Sequence, residues 1–563
     1  MRPASIPARR TRSRRPSLRR RPAPRHRVIT ACRVTTETVR RLSALAAAAL
    51  IVTSGAACAR QSPDVITGPY ASLLASSSDL GPSQAGDAQV TVTLADPTQA
   101  GALTQWAADA GLWVRARPDD GWAVVEGAAP DMERAFGVPI HDYRGRKGQV
   151  FYASTHQPSI PAPLRGVVTG MGRINGYTPH HTASPGFLPL DVRWGGLTPD
   201  GLLQAYDATP LAEQGFTGEG ETIVFFAFDS ADQADLDLFA DTSGLPRFTP
   251  EIVGGKPAEQ HGETAMDLQV AHAIAPDAKL VVVNARPTVE GDGAYEKIGK
   301  LFEDVDRQFP GAVWSLSIGW GCEKLVTAAD LAPVQAALVA AQRRGTSAFD
   351  ASGDTAGLEC KSGEDWSAPP GPDDIGLDAV SSIPNMTTVG GTTLSTTPRG
   401  QWVGEYAWVD SPLSQGTSGG VSTLFERPRW QRRLSVERDT EGRRLSPDVS
   451  ALADPFTGVR FIYKQTEVLG GGTSQAAPMW AAFTVLMNQY LEANGGRPIG
   501  NANAMLYRVA EGASLPGFRD IVRGGNAVDF AGPGYDLVSG LGTPDVYNLA
   551  QNFLELQKGV SPR

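Results

Sequence analysis

Short apolar runs that alternate with helical patterns dominate the chain after about residue 220. The runs are TIVFFAF from Thr222, KLVVVNA from Lys279, AVWSLSIGW from Ala312 and TSAFDASG from Thr346. Strands that are apolar on both faces and are separated by helices are typical of a parallel sheet covered by helices on both sides. The sequence therefore predicts an α/β fold whose functional residues lie at the carboxyl ends of the strands.

A smaller α/β pattern precedes this region. AQVTVTLADP and GWAVVEG alternate like strands, while TQAGALTQWAADAGL and DMERAFGV have helical patterns. The polar stretch INGYTPHHTASPGF, with its prolines and histidines, is typical of an exposed linker. We therefore expect a small unit over 61–185, which includes this linker, and a large domain over 190–557.

Residues 1–60 are expected to be an Arg-rich extension and an export signal. RRLSALAAAALIVTSGAAC, from Arg40 to Cys58, combines a basic flank, a short apolar run and small residues. The basic pair leaves a twin-arginine signal open, and Cys58 leaves lipid anchoring at the cell surface open. The Arg-rich stretch before residue 35 is also consistent with an upstream extension from a misassigned start.

The charge distribution argues against nucleic acid as the partner of the folded part of the chain. Fifteen of the 51 basic residues lie between Arg2 and Arg60, with Glu37 as the one acid there, so the rest of the chain carries −23 within an overall −9. An acidic body does not favour nucleic acid.

No apolar run is long enough for a comfortable transmembrane span. We therefore expect an exported, extracellular protein.

A glycine-rich turn before an apolar helix holds the strongest local signal, GGTSQAAP, in which the serine is Ser474. Glycines allow a tight turn and a close approach of substrate, and a helix N-terminus favours developing negative charge. This placement suits a nucleophile. The alternative is an N-cap serine that opens a core helix.

Two carboxylates, Glu263 and Asp267, are spaced four residues apart in a predicted helix. They project from one face and can share a proton, because two close carboxylates do not both ionise cheaply. A solvated acidic helix face is the alternative. The apolar residues that follow, such as Ala271 and Ile274, favour a buried helix.

Of the four cysteines, Cys32 and Cys58 fall in the export region, which leaves Cys322 and Cys360 in the body. One disulfide between them is plausible after export. Two unpaired core thiols are the alternative, and the spacing has no metal-site pattern.

Several segments together resemble the sedolisin family of serine-carboxyl peptidases over about residues 190–550. They are, in order, HGETAMDLQVAHAIAPDA, FDASGDTAG, GGTSQAAP and FRDIVRGGNAVDFAGPGYDLVSGLGTP. The resemblance implies a subtilisin-like fold and hydrolysis of peptide bonds in protein or peptide substrates. It makes Ser474 the nucleophile, Glu263 the general base, Asp267 its orienting partner and Asp354 the protonated oxyanion donor.

The resemblance also implies one structural calcium ion in the last segment. Asp520 and Asp536 would supply carboxylates, and Ile521, Gly532 and Gly534 would supply backbone carbonyls. Oxygen ligands on a flexible loop suit Ca²⁺. A glycine-rich turn without a metal is the alternative.

The small N-terminal unit resembles an activation prodomain of the pro-kumamolisin type, notably in RAFGVPIHDYRGRKGQVFYAS. It would act as an intramolecular inhibitor until the linker is cut, which makes the chain a self-processing precursor. A permanently attached accessory domain is the alternative. A carboxylate base works best near its own pKa, so we expect an acidic optimum. We expect an endopeptidase, with a tripeptidyl-peptidase of the same family as the alternative.

Two other functions remain to be tested. A histidine-based subtilisin would use Asp229, His261 and Ser474, but it leaves Glu263 and Asp267 unexplained. An inactive binding protein on the same fold would be expected to have lost a catalytic group. Trp320 either lines the substrate cleft or is a core tryptophan.

Overall fold

The computed structural model describes residues 64–146, 148–177, 181–182, 188–189, 196–361, 371–410 and 415–559. The predicted Arg-rich extension, export signal and Cys58 lie outside these ranges, as does most of the predicted linker. No helix in the described ranges is long and apolar enough to cross a membrane.

An eight-stranded sheet forms the centre of the large domain. Seven strands follow one another across it, namely Glu251–Val253, Lys279–Asn284, Thr222–Ala227, Val313–Leu316, Ser347–Ala351, Thr387–Thr396 and Trp402–Ala407. The eighth, Val449–Leu452, also pairs with Thr387–Thr396. All pairings are parallel except that of the edge strand Trp402–Ala407, which is antiparallel. The predicted α/β fold is confirmed.

Helices cover both faces of this sheet, because adjacent strand residues point to opposite sides. Phe225 packs in a core with Trp480 of one helix layer, whereas Phe226 packs with Phe302 of the other. Complete burial of each phenylalanine contributes about 1.5–3 kcal/mol. The helices of the domain are Pro199–Ala205, Thr209–Glu213, Gln233–Ser243, Glu263–Ile274, Ala294–Gln308, Ala332–Arg343, Thr473–Ala493, Ala502–Ala510 and Val546–Gln557.

Smaller strand pairs edge the domain. They are Val409–Asp410 with Gln415–Gly416, Gly420–Glu426 with Arg443–Ser446, Arg460–Tyr463 with Thr466–Leu469, and Phe518–Arg519 with Thr543–Pro544. Cys322 and Cys360 are joined by a disulfide, with their Cα atoms 4.7 Å apart.

The N-terminal unit is a separate α/β layer with its own core. Its antiparallel sheet has the order Trp113–Ala116, Trp122–Gly127, Ala88–Leu94 and Val168–Met171, and the helices Ala100–Asp109 and Ala129–Phe136 pack against it. The strand Ala88–Leu94 alternates between buried and half-buried positions, as its sequence predicts. A helix, Pro69–Ala75, and a small sheet of Ser78–Pro82, His141–Arg144 and Val150–Ala153 complete the unit.

This N-terminal unit rests on the large domain through charged and backbone contacts. Arg115 and Arg117 pair with Glu296 and Glu303 of the helix Ala294–Gln308. The backbone N–H of Arg173 donates to Asp330 Oδ1 at 3.1 Å. These contacts hold the unit on the side of the sheet covered by that helix.

Candidate active site

The serine helix, Thr473–Ala493, begins at a glycine turn and is buried over its first sixteen residues. Gly472 has φ 84°, a conformation that favours glycine. Gly471 lies so close to Pro455 that a Cβ atom would come within 2.7 Å of it. Ser474 therefore stands in the first turn of a buried helix, and its hydroxyl hydrogen-bonds to the carboxyl group of Glu263.

The carboxylate helix, Glu263–Ile274, carries both Glu263 and Asp267, and every one of its residues is buried. Asp267 Oδ1 accepts a hydrogen bond from Ser317 Oγ at 3.0 Å, and that hydroxyl also lies 3.1 Å from the carbonyl oxygen of Ser474. Ser317 follows the strand Val313–Leu316 directly. The first turns of the two helices therefore meet at the carboxyl end of a central strand.

The surroundings favour the protonated forms of both carboxyl groups. Burial raises the pKa of Glu263 well above its ordinary value, and the charge of Asp267 adds to that effect. Burial also raises the pKa of Asp267, against the opposing hydrogen bond from Ser317. Two close, desolvated carboxylates titrate as a pair, so one proton held between them leaves one group able to accept another.

Asp354 completes this group of residues from the end of the next strand, Ser347–Ala351. Its Oδ1 accepts hydrogen bonds from the N–H of Thr473 at 2.7 Å and from Thr473 Oγ1 at 2.8 Å. Its Oδ2 is buried and has no hydrogen-bond partner within the described part of the chain. Burial, with a smaller effect from the charge of Glu359, raises the pKa of Asp354 to about 7. A proton on Oδ2 would make it a hydrogen-bond donor, on a carboxyl group held by Thr473, the residue directly before Ser474.

His261, which a histidine-based subtilisin would use as its base, contacts Glu259. His261 Nε2 is 3.0 Å from Glu259 Oε2, and half of the His261 side chain is exposed. Asp229 does not contact the imidazole ring. It instead accepts hydrogen bonds from the backbone N–H groups of His261, Gly262 and Thr264. The arrangement of these groups is not that of a serine–histidine–aspartate triad.

Sequence reasoning missed the contacts of Ser317 and Asp229. Both residues follow apolar strands, which is the position expected for site residues in a parallel sheet. Neither residue belongs to a sequence motif with Glu263 or Asp267, so the sequence does not connect them to the carboxylate helix. Trp320, in contrast, is 2% exposed and packs edge-on against Phe228, as expected of a core tryptophan.

The C-terminal loop, residues 520–536, brings two of its three aspartates, Asp520 and Asp536, to one short glycine segment. Asp520 Oδ2 accepts the N–H of Gly534 at 2.8 Å, and Asp536 Oδ2 accepts the N–H of Gly532 at 3.0 Å. Burial raises the pKa of Asp536. No group of three or more His, Cys, Asp or Glu side chains in the described ranges could hold a metal. A calcium site here must therefore draw on backbone carbonyls, as the predicted donor set does.

The predicted linker and the residues just after it each add a short strand to the large domain. His181–Thr182 pairs antiparallel with Ile318–Gly319, which directly follows Ser317. Leu188–Pro189 pairs antiparallel with Thr466–Leu469, which ends shortly before the glycine turn of the serine helix. The chain that leaves the N-terminal unit therefore pairs with the residues that follow Ser317 and with the strand that precedes the glycine turn of Ser474.

Comparison with known proteins finds similar peptidases and a similar prodomain. The sequence model of the family described as "Pro-kumamolisin, activation domain" matches residues 87–175. Kumamolisin of Bacillus sp. (strain MN-32) is 29% identical over 80% of this chain and 81% of its own length. Sedolisin of Pseudomonas sp. (strain 101) is 26% identical, with coverage of 76% and 74%. Tripeptidyl-peptidase 1 of Mus musculus is 25% identical, with coverage of 74% and 76%.

A solved structure shows the same likeness. Pseudomonas sedolisin, a serine-carboxyl proteinase complexed with two molecules of pseudo-iodotyrostatin, has a TM-score of 0.53 and 26% identity and covers 63% of this chain and 97% of its own. The fold and these matches define the class, since the chain is a serine peptidase that carries an activation prodomain. These matches confirm the resemblance to the sedolisin family of serine-carboxyl peptidases that was drawn from the sequence.

Proposed function

We propose that the chain is the exported precursor of an acid-acting serine-carboxyl endopeptidase that processes itself. The observation that carries the proposal is the hydrogen bond from Ser474 to Glu263 in a buried site. In the same site Asp354 Oδ2 has no partner within the described residues, so that it can donate a hydrogen bond when it is protonated. Ser474 Oγ attacks a peptide carbonyl. Glu263 accepts the proton of the Ser474 hydroxyl and shares it with Asp267. Glu263 then returns the proton to the leaving amine, and water releases the acyl group.

Asp354 would stabilise the negative oxygen of the tetrahedral intermediate. Its Oδ1 is held by Thr473, so a proton on this carboxyl group is best placed on Oδ2, from which it donates to the oxyanion. Because the pKa of Asp354 is about 7, that donor is present in acid and is lost as the pH rises through this value. An acidic working range follows from the same groups that perform the chemistry.

The neighbouring strands support an endopeptidase. The chain itself pairs at His181–Thr182 with the residues that follow Ser317, and at Leu188–Pro189 with the strand that precedes the glycine turn of the serine helix. Extended polypeptide can therefore add to strand edges next to both segments, as a substrate that is cut inside a chain would. Tripeptidyl-peptidases among the relatives keep that second activity open. Peptides with a blocked amino terminus distinguish the two, since only an endopeptidase cuts them.

The N-terminal unit would act as an intramolecular inhibitor. The chain that follows it pairs with the residues after Ser317 and with the strand before the glycine turn of Ser474, and Arg115 and Arg117 pair with glutamates of the large domain. Incubation of purified precursor from about pH 3 to about pH 7 should release the unit most rapidly in acid. Precursor that stays intact at every pH, without activity on unfolded protein, would favour the inactive binding protein instead.

Replacement of Asp354 separates its role as a donor from its charge. In Asp354→Asn, Oδ1 can still accept from Thr473, while Nδ2–H donates at any pH. We expect this variant to keep measurable activity and to lose the decline near about pH 7. Asp354→Ala should reduce kcat about 10²–10³-fold. If the activity of Asp354→Asn still declined as the pH rose through about 7, Asp354 would not be the donor to the oxyanion.

We further propose that the C-terminal loop binds one structural calcium ion through Asp520, Asp536 and the carbonyls of Ile521, Gly532 and Gly534. The ion would supply charge neutralisation for the two carboxylates and rigidity for the loop. Both aspartates already lie on the glycine segment, and the loop offers the hard oxygen donors that Ca²⁺ prefers.

Calcium removal should therefore lower the stability of the folded protein. At about 100 times its dissociation constant, a bound ion adds about 2.7 kcal/mol to the free energy of unfolding, so chelation should lower Tm by several degrees. Asp520→Asn should lose this response, as followed by differential scanning calorimetry. Asp529→Asn, on the same loop but paired with Arg438, is the matched control and should keep it. An equal response in both variants would place the ion elsewhere.

Export completes the proposal. The basic, apolar and small-residue regions before Cys58 support removal of a signal, and amino-terminal sequencing of the exported protein locates the cut. A lipid on Cys58 would instead retain the protein at the cell surface.

A further inference from the structure

The carboxylate helix lacks an N-cap side chain of its own. Its N-cap residue is Gly262, with φ 97° and no side-chain hydrogen bond. The first backbone N–H groups of any helix have no partner within the helix, and a buried N–H without a partner destabilises the fold. Glu263 is the first residue of this helix, so whatever binds these N–H groups also fixes the position of Glu263.

Asp229 binds them from a distant part of the sequence. It follows the strand Thr222–Ala227, and its Oδ2 accepts the N–H of His261 at 2.9 Å and of Gly262, 33 residues away, at 3.0 Å. Its Oδ1 accepts the N–H of Thr264 at 3.0 Å and also the Thr264 hydroxyl. Asp229 is 1% exposed. A buried carboxylate thus ties the start of the carboxylate helix to the end of a central strand.

The charge of Asp229 also reaches both carboxyl groups of that helix. It raises the pKa of Glu263, after burial and Asp267, and it raises the pKa of Asp267, after burial. A helix N-terminus alone would have the opposite effect, because its partial positive charge favours carboxylates. Asp229 therefore offsets the helix dipole at the residue that would serve as the base.

Other neighbouring groups shift the pKa values of Glu263 and Asp267 in different directions. Ser474 and Ser317 donate hydrogen bonds and lower the pKa of Glu263 and Asp267 respectively, while Asp354 raises that of Glu263. The His261 ring, whose backbone N–H binds Asp229, contacts Glu259, which also pairs with Arg286.

We propose that Asp229 is a positioning residue of the catalytic site, which holds Glu263 against Ser474 and keeps a proton on the Glu263–Asp267 pair. The residue that would serve a histidine-based enzyme as a triad member thus acts here through the backbone of the carboxylate helix. The inference rests on the proposed peptidase function and adds a residue that touches neither substrate nor nucleophile.

The test compares Asp229→Asn and Asp229→Ser with Asp232→Asn. Asn and Ser are good capping residues without charge, so they retain part of the cap and remove the electrostatic effect. Asp232 caps the next helix, Gln233–Ser243, through the N–H of Ala234, and it supplies the matched loss of a capping charge away from the site. kcat and KM are measured across the acid range on a blocked peptide, and Tm is measured in parallel.

We expect the acid limb of kcat/KM to move down by about one pH unit in both Asp229 variants, because removal of a nearby negative charge lowers the pKa of the pair. Misplacement of Glu263 should lower kcat about tenfold, with little change in KM. Asp232→Asn should leave the limbs and kcat unchanged.

Other outcomes are equally clear. Lower Tm in the Asp229 variants with an unmoved acid limb would overturn the proposal, since Asp229 would then be a residue of the fold alone. Failure of both Asp229 variants to fold would overturn it for the same reason. An inactive wild-type enzyme would instead refute the proposed function itself.

Discussion

Ser474→Ala is expected to yield a folded precursor that neither releases its N-terminal unit nor digests unfolded protein at any pH. The hydroxyl is the nucleophile of the proposed reaction, and its removal leaves water as the attacking group. Loss of a nucleophile that works as a unit with its base lowers kcat about a millionfold. The fold should persist, because the side chain lies at a helix start whose other contacts, such as those of Thr473 with Asp354, are retained.

The measurement follows self-cleavage by gel electrophoresis and proteolysis by release of labelled peptides. Ser514→Ala, at an exposed serine that bonds to Glu555, is the control and should process normally. Processing by Ser474→Ala at the wild-type rate would remove Ser474 from the mechanism. If added wild-type enzyme cuts the variant precursor, the linker is accessible and the defect lies in the variant's own chemistry.

Glu263→Gln should reduce kcat about 10⁴-fold while leaving the fold intact. Glutamine has the same shape and can still accept a hydrogen bond from Ser474, but it cannot take the proton. Because the pKa of Glu263 is raised well above its ordinary value, the neutral amide resembles the form that burial already favours. We therefore expect only a small change in Tm, which separates a chemical defect from a folding defect.

The matched control is Glu259→Gln, at an exposed carboxylate that contacts His261 and Arg286. It should retain nearly full activity, as should His261→Ala. Activity that survives in Glu263→Gln but is lost in His261→Ala would reverse the roles and restore the histidine-based mechanism.

The architecture was predictable because its signals are local. The apolar runs at Thr222 and Lys279 became adjacent parallel strands, and Phe225 and Phe226 point to opposite faces as a two-residue period requires. The four-residue spacing of Glu263 and Asp267 placed both groups in one buried helix.

The remaining features depend on contacts between distant residues. Nothing near Asp229 indicates that it caps a helix that starts more than thirty residues later, because the cap exists only once the strand and helix have packed. The approach of Ser317 to Asp267, 50 residues apart in sequence, has the same origin. The antiparallel edge strand Trp402–Ala407 also escaped prediction, since an edge position is set by the neighbours of a strand and not by its own pattern.

The pH dependence of kcat/KM for the processed enzyme, with a blocked peptide as substrate and calcium present, distinguishes a carboxylate base from a histidine base. We expect activity that is confined to acid and declines as the pH rises through about 7, where Asp354 loses its proton, and we expect His261→Ala to give the same curve. A maximum above neutral pH that disappears in His261→Ala would contradict the carboxylate mechanism.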